Sequence, residues 1–121
     1  GTVSRAQLTQ DICRILVDEA EMRLAWIGWV DEQTRAVVIE AAVGPAAGYV
    51  EGLSISVDVR RPESRGPSGR SLIEGCSITC MDIAADPIMA PWSGRAREHG
   101  LRSSAAVPLQ LKDGTRGTLT I

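Results

Sequence analysis

The chain has 121 residues, of which 44% are hydrophobic and 23% charged, with a formal net charge of −2. That length makes one domain able to bury roughly two thirds of its unfolded surface, and the composition is ordinary for a globular protein. The near-neutral balance excludes a general pull toward nucleic acid or anionic membrane, and no apolar run approaches the roughly 18 residues of a membrane span.

The three cysteines form no CxxC, and with a single His they make no zinc pattern. Cys76 and Cys80 fall on one expected strand, about 13 Å apart at about 3.3 Å per residue, beyond the roughly 7 Å that a disulfide spans. A reducing cytoplasm is therefore the expected compartment. The chain begins with Gly rather than Met, and the expectation is a single domain, residues 1–121, excised from something longer.

Taken in order, Ser4 followed by Gln7 is a capping-box pattern that opens an amphipathic helix. Leu8, Ile12, Ile15, Leu16 and Val17 recur at helical spacing. Such a stripe packs on its own core or pairs with the same helix of a second subunit. Leu24-Ala25-Trp26-Ile27-Gly28-Trp29-Val30 is apolar on both faces, as in a central strand covered on both sides. A turn at 31–34 returns the chain as an antiparallel strand over 37–43. Gly44-Pro45-Ala46-Ala47-Gly48 is a flexible link, 49–53 makes one helical turn, and Ser54-Ile55-Ser56-Val57 alternates as a short strand.

The polar segment 60–68 leads to Gly66-Pro67-Ser68-Gly69. Pro67 suits the first helical position and Gly75 the stop, so a helix of about eight residues follows, too short to stand without packing. Gly69 allows close approach to sheet or ligand. Arg65, Arg70 and the helix N-terminus make either an anion site or a solvated connector. Residues 77–81 read as a strand, broken by Asp82-Ile83-Ala84-Ala85-Asp86-Pro87, where Asp82 suits a turn. Pro91-Trp92 opens a second short helix that ends at Gly100. Residues 103–111 form a strand in which Pro108 marks an edge or bulge. Asp113-Gly114 is a hairpin signal, and 117–121 is the last strand. The sum is an α+β fold: a central, mostly antiparallel six-stranded sheet with a long N-terminal helix on one face and short helices and loops on the other.

Several of these motifs, in this order, resemble the GAF family of sensor domains: Leu24 to Gly28 after a long helix, Gly66-x-x-Gly69, Asp82-Ile83-Ala84-x-Asp86-Pro87, Arg102-Ser103-Ser104-Ala105-Ala106-Val107-Pro108-Leu109, and the closing hairpin from Gly114. The resemblance covers nearly the whole chain. It implies a bacterial, non-enzymatic signalling domain that binds an unidentified small molecule and acts on an output domain in the same full-length chain. That output would be a histidine kinase of a two-component system, a cyclic-di-nucleotide enzyme or a transcription regulator. The family usually adds a final helix that joins the first at a dimer seam. This sequence ends before it, so a homodimer would rest on the N-terminal helix alone.

The resemblance places a ligand pocket between the sheet and the two short helices. Its walls would come from residues 66–72, 80–92 and 102–104, with ligand contacts from Cys80, Asp82, Trp92, Arg102, Ser103 and Ser104. Trp92 would lid the pocket, Arg102 would meet a ligand anion and the serines would hydrogen-bond to it. Their structural alternatives are a packing Trp, a solvated Arg and a turn-forming Asp. No cofactor, metal, nucleic acid or membrane insertion is expected. Bilin-binding relatives attach pigment through Cys followed by His, whereas Cys13, Cys76 and Cys80 precede Arg, Ser and Met. His99 near a helix end is a poor haem ligand, and the Asn-Lys-x-Asp-Glu-like set of cyclic-nucleotide binders is missing. Two rivals stand beside the sensor. One is a ligand-free packing or dimerisation module. The other is a free methionine sulfoxide reductase, whose cysteine in the Gly-x-x-Gly segment is Ser68 here.

Overall fold

The computed structural model describes residues 3–121. Helix α1 (Arg5–Ala20) starts at Ser4, whose hydroxyl accepts from the Gln7 N–H at 3.1 Å. Only half of the capping box forms, because the Gln7 amide turns forward to Asp11 (2.9 Å) instead of back to the cap.

Five strands make one antiparallel sheet: β1 (Ala25–Val30), β2 (Val37–Val43), β3 (Ile78–Cys80), β4 (Ser104–Gln110) and β5 (Arg116–Thr120), in the order β2-β1-β5-β4-β3. The sixth expected strand, over 54–57, is a single bridge between Ala36 and Ser56. The Val37 N–H donates to the Ile55 carbonyl (2.9 Å) and the Val57 N–H to the Arg35 carbonyl (2.8 Å), but Ser56 spends its own N–H on Glu63 (3.2 Å). Its Asp58 carboxylate then accepts from the Arg60 N–H (3.0 Å), turning the chain away before a ladder can extend. Helices α2 (Pro67–Glu74) and α3 (Ser93–Glu98), with 3-10 turns at Ala47–Val50, Pro62–Ser64 and Pro87–Met89, complete the fold.

Every residue of β1 is buried. Trp26 and Val30 join Leu24, Tyr49, Leu72 and Trp92 on one face, whereas Ala25, Ile27 and Trp29 join Cys13, Ala41 and Val43 on the other. The period of two thus divides the core into a short-helix layer and an α1 layer. Pro108 sits where a strand tolerates it. Ala105 exchanges both backbone hydrogen bonds with Ile121 of the β5 side, so Pro108, three residues on, faces away from β5. There β3, which reaches only Ala106, offers no partner.

The α1 stripe splits. Thr9 and Cys13 are buried and Leu16 and Val17 pack beside them on the sheet. Leu8, Ile12 and Ile15 remain 52%, 37% and 59% exposed, so only part of the expected apolar face meets the core. Glu40 of β2 ties this face of the helix to the sheet. Its carboxylate accepts from the Trp29 indole N–H (2.9 Å), the Thr9 hydroxyl (3.2 Å) and the Arg5 guanidinium (3.2 Å). The Arg5 guanidinium also lies 4.9 Å from the Trp29 ring centre.

Burial pushes the Glu40 carboxyl up, but the hydrogen bonds from Trp29 and Arg5 outweigh it and hold the group below the usual carboxylate value. Glu40→Ala is expected to cost about 1–3 kcal/mol at ~pH 7, measured by chemical denaturation. Because the folded carboxyl titrates below an unfolded value of about 4.3, its contribution is present above that value. It is lost as pH falls through the folded value, so wild type and variant draw together in acid. A gap that stays constant down to ~pH 3 would show that the carboxylate's charge is not what holds α1.

Candidate functional site

The short-helix layer leaves a cavity of about 50 Å³ against the sheet. Leu24 and Trp26 of the β1 region and Thr120 of β5 form its floor; Pro67, Ser68 and Gly69 of α2, with Met89 and Trp92, form the opposite wall.

Close approach of α2 explains its glycines. A Cβ at Gly69 would stand 2.6 Å from the Ser64 carbonyl oxygen and 2.8 Å from that of Ser56. At Gly66 it would stand 2.7 Å from the Trp92 ring. Pro67 occupies the first helical position, and Gly75 ends the helix at φ +70° with its N–H on the Ser71 carbonyl. Trp92 is buried over Gly66, and its indole N–H donates to the Ser54 carbonyl at 3.2 Å.

Tyr49 comes from the 3-10 turn at Ala47–Val50. Its ring meets His99 edge-on at 6.1 Å, and the Arg95 guanidinium lies 6.0 Å from its centre. Arg95 also donates to the Gly48 carbonyl (3.1 Å) and to that of Glu51, fixing the turn. Burial pushes the Tyr49 hydroxyl up to about 12, against the opposing pull of Arg95.

Polar groups reach the cavity from two sides. Ser68 and Thr120 bring their hydroxyls to 2.7 Å, and this pair continues inward through Thr118 (3.3 Å) to Ser71 (3.4 Å), which donates to the Ser68 carbonyl (2.8 Å). On the other side is Glu63. Its Oε1 lies 3.5 Å from Arg61, while its Oε2 is shielded from solvent and has no hydrogen-bond partner among the described residues.

Of the residues expected at a site, Trp92, Ser103 and Ser104 line the cavity, and Cys80, Asp82 and Arg102 do not. The Ser104 hydroxyl donates to the Ile121 carbonyl at 3.0 Å. Cys80 is buried within the core, with its thiol 3.8 Å from an Asp86 carboxylate oxygen; burial pushes that thiol up. Asp82 is exposed and accepts from the Ala85 N–H at 3.2 Å, a turn-forming role. Arg102 is exposed and lines an adjoining open groove with Met22 and Met81, which shares Ser103 and Ser104 with the cavity. The basic residues expected to favour an anion near α2 are also elsewhere: Arg65 is exposed, and Arg70 pairs with Glu74 at 2.9 Å. Among the described residues, no group of three or more His, Cys, Asp or Glu is arranged to hold a metal ion.

Tyr49 and Glu63 lie outside the expected walls. Tyr49 is the chain's single tyrosine, in a stretch that reads as one helical turn. Glu63 lies in the polar segment, and only the fold of that segment over α2 brings it inward.

A GAF domain family model matches residues 2–121, and the chain belongs to the GAF domain family. Solved structures agree at the level of the fold. A free methionine-R-sulfoxide reductase from Neisseria meningitidis, in complex with its substrate, is 19% identical with a TM-score of 0.70; the match covers 95% of this chain and 60% of that one. The GAF domain of a phosphoenolpyruvate-protein phosphotransferase from Coxiella burnetii is 15% identical with a TM-score of 0.71, covering 100% and 68%. A NreA protein from Staphylococcus aureus, mutated in its nitrate binding site, is 15% identical with a TM-score of 0.69, covering 97% and 84%. No curated protein sequence matches the chain significantly.

Gly66→Ala is expected to drive its methyl group into the Trp92 ring, costing about 1–3 kcal/mol by overpacking and changing the tryptophan emission. Trp92→Ala is expected to cost about 3–5 kcal/mol. Unaltered stability and emission in Gly66→Ala would show that the Trp92 ring moves aside freely.

Proposed function

We propose that this domain is a non-enzymatic sensory or regulatory module that binds a small molecule between the sheet and its short helices. The observation that carries the reading is the cavity under Trp92, with hydroxyls on one side and a shielded carboxylate oxygen on the other. A largely apolar pocket with a few convergent polar groups is the usual form of a ligand site. Strand β1 connects it to α1, because Trp26 lines the cavity and Ile27 and Trp29 pack beneath the helix. Ligand occupancy would bias output by different affinity for two arrangements of α1, passed to an output domain of the same full-length chain.

The non-enzymatic reading has its own support. No cysteine lines the cavity among the described residues, and burial disfavours the reactive thiolate at Cys80. The likeness to the sulfoxide reductase therefore extends to the fold, while Ser68 stands in the segment where the resemblance would require a cysteine. A cytoplasmic setting suits the three free cysteines. No helix among the described residues is long and apolar enough to cross a membrane.

A homodimer through α1 is the partner this reading adds. Leu8, Ile12 and Ile15 are exposed at intervals of four and three residues, the spacing of a two-helix seam. Replacing all three with Ser leaves the sheet-facing residues intact and is expected to halve the mass seen in light scattering. An unchanged mass would remove α1 as a seam.

A thermal-shift screen against nucleotides, amino acids, small acids, amines and aromatic metabolites tests the sensor. A ligand at 100 times its dissociation constant adds roughly 2.7 kcal/mol. A saturable shift that Trp92→Phe weakens supports the pocket; a silent screen together with loss of the dimer in the Ser variant favours a packing module.

A further inference from the structure

We infer that the cavity selects a compact organic cation carrying N–H donors, a small ammonium or guanidinium group held by Glu63; this rests on the ligand-binding reading above and names the ligand's class.

The first argument is the carboxylate. Glu63 is fixed by its own turn, where the Ser56 N–H donates to the Glu63 carbonyl (3.2 Å) and the Ser64 N–H to that of Arg61 (3.1 Å). Its Oε1 lies 3.5 Å from Arg61, and its Oε2, shielded from solvent although the side chain is 27% exposed, lacks a donor among the described residues. An ionised carboxylate only accepts hydrogen bonds, and leaving one of its oxygens buried without a donor is costly. A ligand N–H at the cavity supplies that donor as a charge-assisted bond.

The hydroxyls complement it. Ser71 uses its proton on the Ser68 carbonyl. The remaining contacts, Thr118 with Ser71, Thr120 with Thr118 and Ser68 with Thr120, all gain a proton only if each hydroxyl donates inward, away from the cavity. Ser68 then presents lone pairs to the ligand. Glu63 and the Ser68 hydroxyl therefore both offer acceptors, which a donor-rich ligand satisfies.

The walls favour the same charge. Trp26, Tyr49 and Trp92 line the space, and aromatic side chains attract cations placed over their faces, as Tyr49 does the Arg95 guanidinium. Among the described residues no arginine or lysine lines it, so an anion would meet the Glu63 carboxylate with only Arg61, which is 58% exposed, beside it. At about 50 Å³, against roughly 10–15 Å³ for one water, the space takes about three to five non-hydrogen atoms.

The test is an NMR titration of the isotope-labelled domain in phosphate buffer with ethylammonium and guanidinium chlorides. Acetate, nitrate and ethanol serve as size-matched anions and a neutral control. Saturable shifts at the amides of Ser64, Ser68 and Thr120 and at the Trp92 indole are expected with the cations only. Glu63→Gln is expected to weaken them about tenfold or more. Acetate, nitrate or ethanol saturating the same signals as well as the cations would overturn the cation assignment and leave the pocket standing. No saturable shift with any probe would overturn both. Should Glu63→Gln fail to fold, the preference of the wild-type domain among cation, anion and neutral probe decides the matter alone.

Discussion

Strand β1 is the constraint on which the rest depends. Its six residues are all buried, so each face of the sheet must be covered along its length. Alternation sends Trp26 and Val30 to one layer and Ala25, Ile27 and Trp29 to the other. A slip of one residue would exchange the two sets, placing Trp29 among the short helices and Trp26 under α1. The polar grip on Glu40 makes that slip costlier, because the Trp29 indole must reach the same carboxylate that holds Arg5 and Thr9. Register, helix orientation and the cavity floor are thus fixed together.

The two faces are built differently. On the α1 side one long helix lies on β1 and β2. On the other side the cover is assembled from pieces each too short to be stable alone: two helices of eight and six residues and three 3-10 turns. Such pieces depend on contacts with one another, and the contacts are specific: Gly69 against the Ser56 and Ser64 carbonyls, Gly66 against Trp92, Arg95 on the turn that carries Tyr49. Irregular cover packs less completely than a helix, which is why the space lies here and not beneath α1.

The sequence carried most of the fold in local signals. Ser4, Pro67, Gly75 and the Asp113-Gly114 turn act through their own backbone, so their effects appear without knowledge of distant partners. The double-sided apolarity of residues 24–30 likewise follows from composition. The strand over 54–57 did not materialise because pairing is a non-local matter: Ser56 hydrogen-bonds to Glu63, a partner that alternation cannot reveal. The split of the α1 stripe has a similar origin. Leu8 and Leu16 stand about 80° apart on a helical wheel, and which edge of the stripe meets the sheet is set by tertiary contacts. At the cavity, Trp92, Ser103 and Ser104 followed from the resemblance to the GAF family. Tyr49 and Glu63 did not, since each arrives on a turn whose direction is set by tertiary contacts.

The edge at β4 has a further consequence. Because β3 is only three residues long, the far half of β4 stands without a neighbouring strand on that side. An open strand edge of that kind invites a second chain to add its own strand, the first step toward aggregation. Pro108 breaks the row of donors at this point and denies the intruding strand a hydrogen bond. The residue that looks like a defect in the sheet thus removes a donor from its open edge.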